Sequence, residues 1–458
     1  MARLRSIHTV KKIATLGAAS LMSLSLSAGF ASVALAAEGG AAEGGAAEGQ
    51  SGQSSPAAQT EVAKLGPTVT KTDRGPTGYE VTFRYKAPEG VKSVQLYGEW
   101  TFSQPGSIKT LGGGDGRIPA LWKKGDVPAA PWKILEMNKV AGGIWELKVP
   151  LPSGTFSYAF GHGCSQLDAD ANTCKRHPDP ANLNVSADLP SFSRQNMSQV
   201  YVPQNPKYPT YNNAYQRPRP AEQMGRFVHA SYKTSYSMSP AGSHPLSIYL
   251  PKGYDPNRAK PYPVLYLSHG VGGNDTDWFT QGAAPYILEN AIADGKAEPT
   301  ILVATNFNHL GADSLIVSSA YAKDMVENVI PYVQANFNAS DDPSLRAFGG
   351  LSLGGARGIE LLTKHPGVFD YYGLWSAGTL TTDFAEADRR AIGQLKGAIH
   401  TGAGLQDYLV SIGKNSLLRA DSFRRAGARV VEFDQPGIHS WDIWRAELND
   451  YLRRGAFK

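Results

Sequence analysis

From about residue 227 to the C-terminus, short apolar runs of strand length alternate with stretches whose apolar residues recur at helical spacing. HPLSIYLPKGY and PYPVLYLSHG read as strands, APYILENAIADGK as a helix and TILVATN as a buried strand. AYAKDMVENVIPYVQANF then places Met325, Val329 and Val333 on one helical face. Strand RAFGGLS, helix GGARGIELLTKH, strands DYYGLWSAG and AIHTGAG, helix SLLRADSFRRAG, strand RVVEFDQ and helix WDIWRAELNDYL follow. Parallel strands need long crossovers, and helices between strands supply them, so this pattern predicts a mostly parallel sheet with helices on both faces, an α/β fold.

Upstream the pattern is different. YEVTFRYKAP, VKSVQLYGEW, GIWELKVPLP and GTFSYAFG are short alternating runs between Gly and Pro turns, which predicts an all-β, immunoglobulin-like sandwich over 62–205. A chain of 458 residues exceeds one compact core, so two folded domains are expected, the second over 227–458 and joined by the Pro- and Tyr-rich connector 206–226. The order VTFRYKAPEGVKSVQLYGEW, PWKILEMNKVAGGIWELKVPLPSGTFSYAF and HPDPAN resembles the early-set, glycogen-binding-like modules found ahead of some secreted esterases and glycan-active enzymes. That resemblance implies glycan contact through exposed aromatics, with Trp100, Trp132 and Trp145 as candidates; core packing is the competing reading, because Trp is usually largely buried.

The first residues carry Arg3, Arg5, Lys11 and Lys12, then a mostly apolar run from Ile13 to Leu35 that closes on Ala34-Leu35-Ala36. This is the layout of a secretory signal peptide over 1–36, and it predicts an extracellular protein with no stable membrane insertion after cleavage; a retained membrane anchor is the competing reading, against which stand Ser20, Ser23, Ser25 and Ser27. The Ala/Glu/Gly repeat over 37–61 has almost no large apolar residue and reads as a flexible linker. Loss of 1–36 removes four bases and no acids, which lowers the formal charge from +5 to +1. A nearly neutral surface supplies no general field for nucleic acid. The two cysteines, Cys164 and Cys174, share one polar loop and in an exported protein read as a disulfide, with unpaired thiols as the alternative; no spacing of metal-ligand type accompanies them.

Gly350-Leu351-Ser352-Leu353-Gly354 matches G-x-S-x-G and falls between a strand and a helix, where a nucleophile elbow belongs. A serine hydroxyl needs a neighbouring base, and His439 in QPGIHSWDIW follows the last strand. His400, His365 and His309 are rivals; His400 lies in a strand run and His365 ends a helix. Asp407 in HTGAGLQDYL stands between the two in chain order, as the third member of a Ser-Asp-His triad of this fold does. Asp421 falls within a helix, and Asp434 is too close in sequence to His439. The oxyanion would rest on the N–H of Leu353 and on Val271 or Gly272 of His269-Gly270-Val271-Gly272-Gly273, with His269 itself structural. Trp278 and Trp441 are candidate substrate contacts, with core packing as the alternative.

LYLSHGVGGNDTDW, AFGGLSLGGARG, HTGAGLQD and PGIHSWDIW together resemble the esterase D-type α/β-hydrolases, which include feruloyl and acetyl-xylan esterases, enterochelin esterases and antigen 85 mycolyltransferases. Ile438 and Ser440 stand where the family often has Gly and Asp. The resemblance implies a serine carboxylic-ester hydrolase working through an acyl-enzyme, without metal or cofactor, on feruloyl or acetyl esters of polysaccharides. Acyl transfer to a sugar or lipid alcohol, siderophore-ester hydrolysis and non-catalytic glycan binding are the alternatives.

Overall fold

The structure is a computed structural model that describes residues 64–458 apart from 110–112, 171–172, 184–196, 209, 312–319, 378–382 and 411–413. The expected signal peptide and Ala/Glu/Gly linker lie outside the described residues. Residues Lys64–Lys458 form one compact unit.

Its N-terminal part is all β. The strands are β1 Gly66–Lys71, β2 Tyr79–Lys86, β3 Val94–Gly98, β4 Phe102–Ser103, β5 Val127–Pro128, β6 Leu135–Glu136, β7 Asn138–Lys139, β8 Ile144–Val149, β9 Gly154–His162 and β10 Ser198–Val202. Two antiparallel sheets, ordered β1-β2-β8-β7 and β10-β9-β3-β6, enclose one apolar cluster. Alternate residues point inward, Val81, Phe83 and Tyr85 from β2 against Phe156, Tyr158 and Phe160 from β9, as the two-residue strand period requires. The four edge strands β1, β7, β10 and β6, with the two-residue β4 and β5, lie outside the alternating runs of the sequence. Trp100 and Trp145 fill this core at 1% and 6% exposure and so form no sugar platform, while Trp132 is half-buried, edge-on to Tyr97. Cys164 and Cys174 form a disulfide in the loop after β9.

The C-terminal part is built on one eight-stranded sheet. Its strands are β11 Arg226–Lys233, β12 Ser243–Leu250, β13 Val264–Ser268, β14 Ile301–Thr305, β15 Arg346–Leu351, β16 Tyr371–Trp375, β17 Ala398–Gly402 and β18 Val430–Glu432, ordered β11-β12-β14-β13-β15-β16-β17-β18. The first two pairings are antiparallel and the rest parallel. Strands β13 to β17 are buried along their length except at Tyr371, the first residue of β16, the pattern of a sheet covered on both faces. Strand β11 does not alternate strictly, Phe227 and Val228 both being half-buried and Tyr232 alone buried, so no clean period marks it in the sequence. The helix Glu386–Gly393 is a second addition, and it supplies the crossover that the parallel pair β16–β17 demands. The helical run from Ala320 to Asn336 is continuous but widens to a π turn at Met325–Val329, just before Pro331, whose ring nitrogen has no hydrogen to donate.

The connector does not behave as a spacer. Asn290 donates to the carbonyls of Tyr215 and Arg217, and Asn213 donates to Ser153 O, so the segment is bonded to both parts. A buried Arg445, from the helix Trp441–Asp450, crosses the same seam. Its guanidinium donates to Gln281 O at 2.8 Å and to Thr155 O at 2.9 Å, and lies 3.9 Å from Glu99. Removing a buried charge from such a site strands its partners, so Arg445→Ala is expected to cost about 3–5 kcal/mol, read as a lower urea midpoint. Faster proteolytic separation of the two parts should accompany it.

Candidate active site

Parallel strands that all run one way bring their C-terminal ends to a common rim, and each candidate side chain leaves the sheet there. Ser352 follows β15 directly and is the N-cap of the helix Leu353–Lys364, with φ 53° and ψ −118°. That conformation is strained for a residue with a side chain, by about 1–3 kcal/mol, and it is held by tight surroundings. A Cβ on Gly350 would lie 2.4 Å from the backbone of Gly354, and one on Gly354 would lie 2.5 Å from His269 O. Both glycines of G-x-S-x-G are therefore required by space alone. The Ser352 N–H donates to Trp375 O at 2.8 Å, which pins the turn to the neighbouring strand.

The first N–H groups of any helix lack an intrahelical partner, so Leu353 offers its amide beside the serine, at the positive end of the helix dipole. From the other side comes the loop after β13. A Cβ on Gly270 would sit 3.3 Å from Ser352 Cβ, so loop and serine are in close approach. Gly270 to Gly273 form a turn closed by Gly273 N–H to Gly270 O, and the amides of Val271 and Gly272 take no hydrogen bond among the described residues. His269 beneath this turn is fully buried and stacks on Phe307. Its Nδ1–H donates to Gly270 O at 2.7 Å, and burial lowers its pKa to about 4, so it is a neutral strut.

Asp407 and His439 are brought together. His439 Nδ1–H donates to Asp407 Oδ2 at 2.7 Å, with Asp407 fully buried. The other carboxylate oxygen accepts from Leu409 N–H at 3.1 Å and Val410 N–H at 3.4 Å. The opposite imidazole nitrogen, Nε2, and the Ser352 hydroxyl make no hydrogen bond among the described residues; in resting enzymes of this kind such contacts tighten only with substrate.

One residue outside the sequence-based candidates joins the acid and base segments. Gln406 donates its N–H to Gly437 O and accepts Gly437 N–H on its side-chain oxygen, both at 2.9 Å, while Leu405 N–H reaches Gln435 O. The segments run so close that a Cβ on Gly404 would lie 2.4 Å from Gly437 O. Gln406 lies in the HTGAGLQD run beside Asp407, but its partner at Gly437 exists only once the two loops are side by side.

The rival residues are occupied elsewhere. His400 is buried in β17, accepting from Trp375 Nε1–H on Nδ1 and bonding Asp450 through Nε2. Asp434 accepts Ala403 N–H. Trp278 and Trp441 are not on a pocket wall: at 0% and 5% exposure they pack edge-to-face in the core, and Trp278 Nε1–H is spent on Ser268 O. Their burial has a simple cause, since four indoles, Trp278, Trp375, Trp441 and Trp444, close the same face of the sheet. Ile438 packs toward the sandwich, and the Ser440 hydroxyl donates to Asp442.

Residues 237–454 match the model of the Esterase family. This segment is an esterase-family domain. Over 233 residues the chain is 34% identical to an endo-1,4-beta-xylanase/feruloyl esterase of Xylanibacter ruminicola, which covers 49% of this chain and 31% of that protein. It is 28% identical over 218 residues to Esterase MT1326 of Mycobacterium tuberculosis, 45% of this chain and 46% of that one. The chain thus spans less than half the length of these relatives. An enterobactin esterase structure from Shigella flexneri shares the fold over 85% of this chain and 96% of its own, with TM-score 0.50 and 15% identity. That span takes in more than the esterase domain, so the likeness of fold reaches into the β part.

Two predictions concern the esterase domain. Gly404→Ala forces the acid and base loops apart and should lower kcat by about 100-fold on a chromogenic ester, with the fold retained by circular dichroism. The second involves Glu447, fully buried on the helix after His439, with neither carboxyl oxygen hydrogen-bonded among the described residues. Burial, then the charges of Asp434, Asp407, Asp442 and Asp450, raises its pKa well above the ordinary carboxylate range, so it is held protonated. A raised folded-state pKa contributes stability fully at low pH and loses it as pH climbs through the raised value. Glu447→Gln should therefore match wild type in thermal midpoint near pH 4 and exceed it increasingly at alkaline pH.

Proposed function

We propose that this protein is a secreted serine carboxylic-ester hydrolase, acting through an acyl-enzyme on feruloyl or acetyl esters of polysaccharides. The observation that carries the reading is the buried Asp407–His439 pair at the sheet rim that also carries Ser352 in a strained elbow. Secretion is supported by the charged start, apolar run and Ala-Leu-Ala close of residues 1–36. The xylanase/feruloyl esterase relative supports the substrate class.

In this mechanism His439 Nε2 takes the Ser352 proton as Oγ bonds to the ester carbonyl carbon. Electrons displaced onto the carbonyl oxygen are met by the amides of Leu353 and of Val271 or Gly272. Asp407 holds the imidazole tautomer and stabilises its positive form. Collapse of the intermediate breaks the carbon–oxygen bond to the alcohol, which leaves with the proton from His439. Water, deprotonated by the same nitrogen, then attacks the acyl-serine; the second collapse breaks the acyl–Oγ bond, releases the acid and returns the proton to Ser352.

The test is a hydrolysis panel of methyl ferulate, acetylated xylan and p-nitrophenyl esters of rising chain length. Wild type is expected to favour the ferulate or the acetylated xylan, and Ser352→Ala to lose at least about 1,000-fold in kcat. Equal turnover by the two proteins would remove Ser352 as nucleophile. Dominant transfer to an added sugar alcohol over free acid would replace hydrolysis by acyl transfer.

A further inference from the structure

The seam between the β part and the esterase domain is not evenly distributed with respect to the catalytic candidates. Ile108, Val127 and Ala129, from the loops around β4 and β5, form a small buried apolar cluster. The esterase-domain residues packed on it are Tyr408 and Ile438. Tyr408 is the residue after Asp407, and Ile438 is the residue before His439. The Tyr408 hydroxyl also donates to Ile108 O at 3.0 Å, across 300 positions of chain. By contrast, the Ser352 elbow is set by Gly350, Gly354 and Trp375, and the loop at Gly270 by His269, all within the esterase domain.

Within the esterase domain the base loop also packs on the last helix, His439 edge-on to Trp444 at 5.0 Å and Gly437 against Ile443. A cleft bordered by Phe102, Trp132, Gly154, Ile438 and Ser440 separates the loop from the sandwich on one side. Gln406 ties the acid loop to the base loop, so whatever holds one holds both. Tyr408 and Ile438, one in each loop, both pack on the apolar cluster of the other folded part.

We infer that the β-sandwich is a brace for the Asp407–His439 pair, with Tyr408 and Ile108 as positioning residues that act on the proton-transfer half of the site through the loops they hold. This rests on the proposed ester hydrolysis. The β part then contributes to turnover and not only to substrate targeting. An apolar cluster suits the task because it excludes water beside a buried carboxylate and has no preferred alternative register. The expected consequence is specific: loosening the brace leaves ester binding alone and impairs the transfer of the serine proton.

The test uses the full chain in four forms: wild type, Tyr408→Phe, the double variant Tyr408→Phe/Ile108→Ala, and Gln199→Ala. The last removes a different bond across the same seam, Gln199 Nε2–H to Gln281 O, which touches neither loop. With p-nitrophenyl acetate, kcat is expected to fall about threefold in Tyr408→Phe and about tenfold in the double variant, KM staying within about twofold. Gln199→Ala should keep the wild-type kcat. The low-field proton resonance of the His439–Asp407 bond should broaden in the double variant alone. Tyr408→Phe loses one hydroxyl and keeps the ring, so it remains informative should the double variant unfold. The inference is overturned by an unchanged kcat in a folded double variant or, should that variant unfold, in Tyr408→Phe. It is overturned equally by a loss confined to KM, or by the same loss in Gln199→Ala. An inactive wild type would instead strike at the proposed hydrolysis, and the resonance would still decide the brace.

Discussion

Two loops that leave adjacent strands, β17 and β18, pass so close that backbone meets backbone between Gly404 and Gly437, with Gln406 bonding across the gap. On that approach depends the 2.7 Å contact of His439 with Asp407, and hence any capacity of the imidazole to accept a proton in one tautomer. Other features of the rim are arranged around it. The strained serine, the turn at Gly270 and the open helix terminus at Leu353 converge from β13 and β15, while the acid–base pair comes from β17 and β18.

Charge is distributed unevenly behind this arrangement. Asp434, Glu447 and Asp450 crowd the region of β17 and the last helix, and His400, Ala403 N–H and Arg454 absorb two of those carboxyls. Glu447 has none of these partners and stays protonated, which spares Asp407 one more negative neighbour. The site thus combines a carboxylate, Asp407, that accepts three hydrogen bonds with a nearby carboxyl, Glu447, whose pKa burial raises well above the ordinary range.

Much of this was legible in the residues. Strand-to-helix alternation foretold the parallel sheet, and Gly-x-Ser-x-Gly between a strand and a helix foretold the strained turn, because both signals are local. What local pattern could not supply was partnership. Strand β11 lacked a recognisable period since one of its faces is only half covered, and the helix at Glu386 was masked by charge. Trp278 and Trp441 looked equally suited to a pocket or a core; a third indole, Trp375, settles them in the core.

The order of residues by itself determined the layer architecture, the turn that carries Ser352 and the chain order of Ser352, Asp407 and His439, because periodicity and glycine placement act over a few residues. Tertiary structure alone decided that Gln406 links the two loops, that Tyr408 reaches Ile108 and that Arg445 crosses to Thr155. Each of those contacts joins positions 31 to 300 residues apart, and no short-range preference encodes which distant backbone atom a side chain will meet.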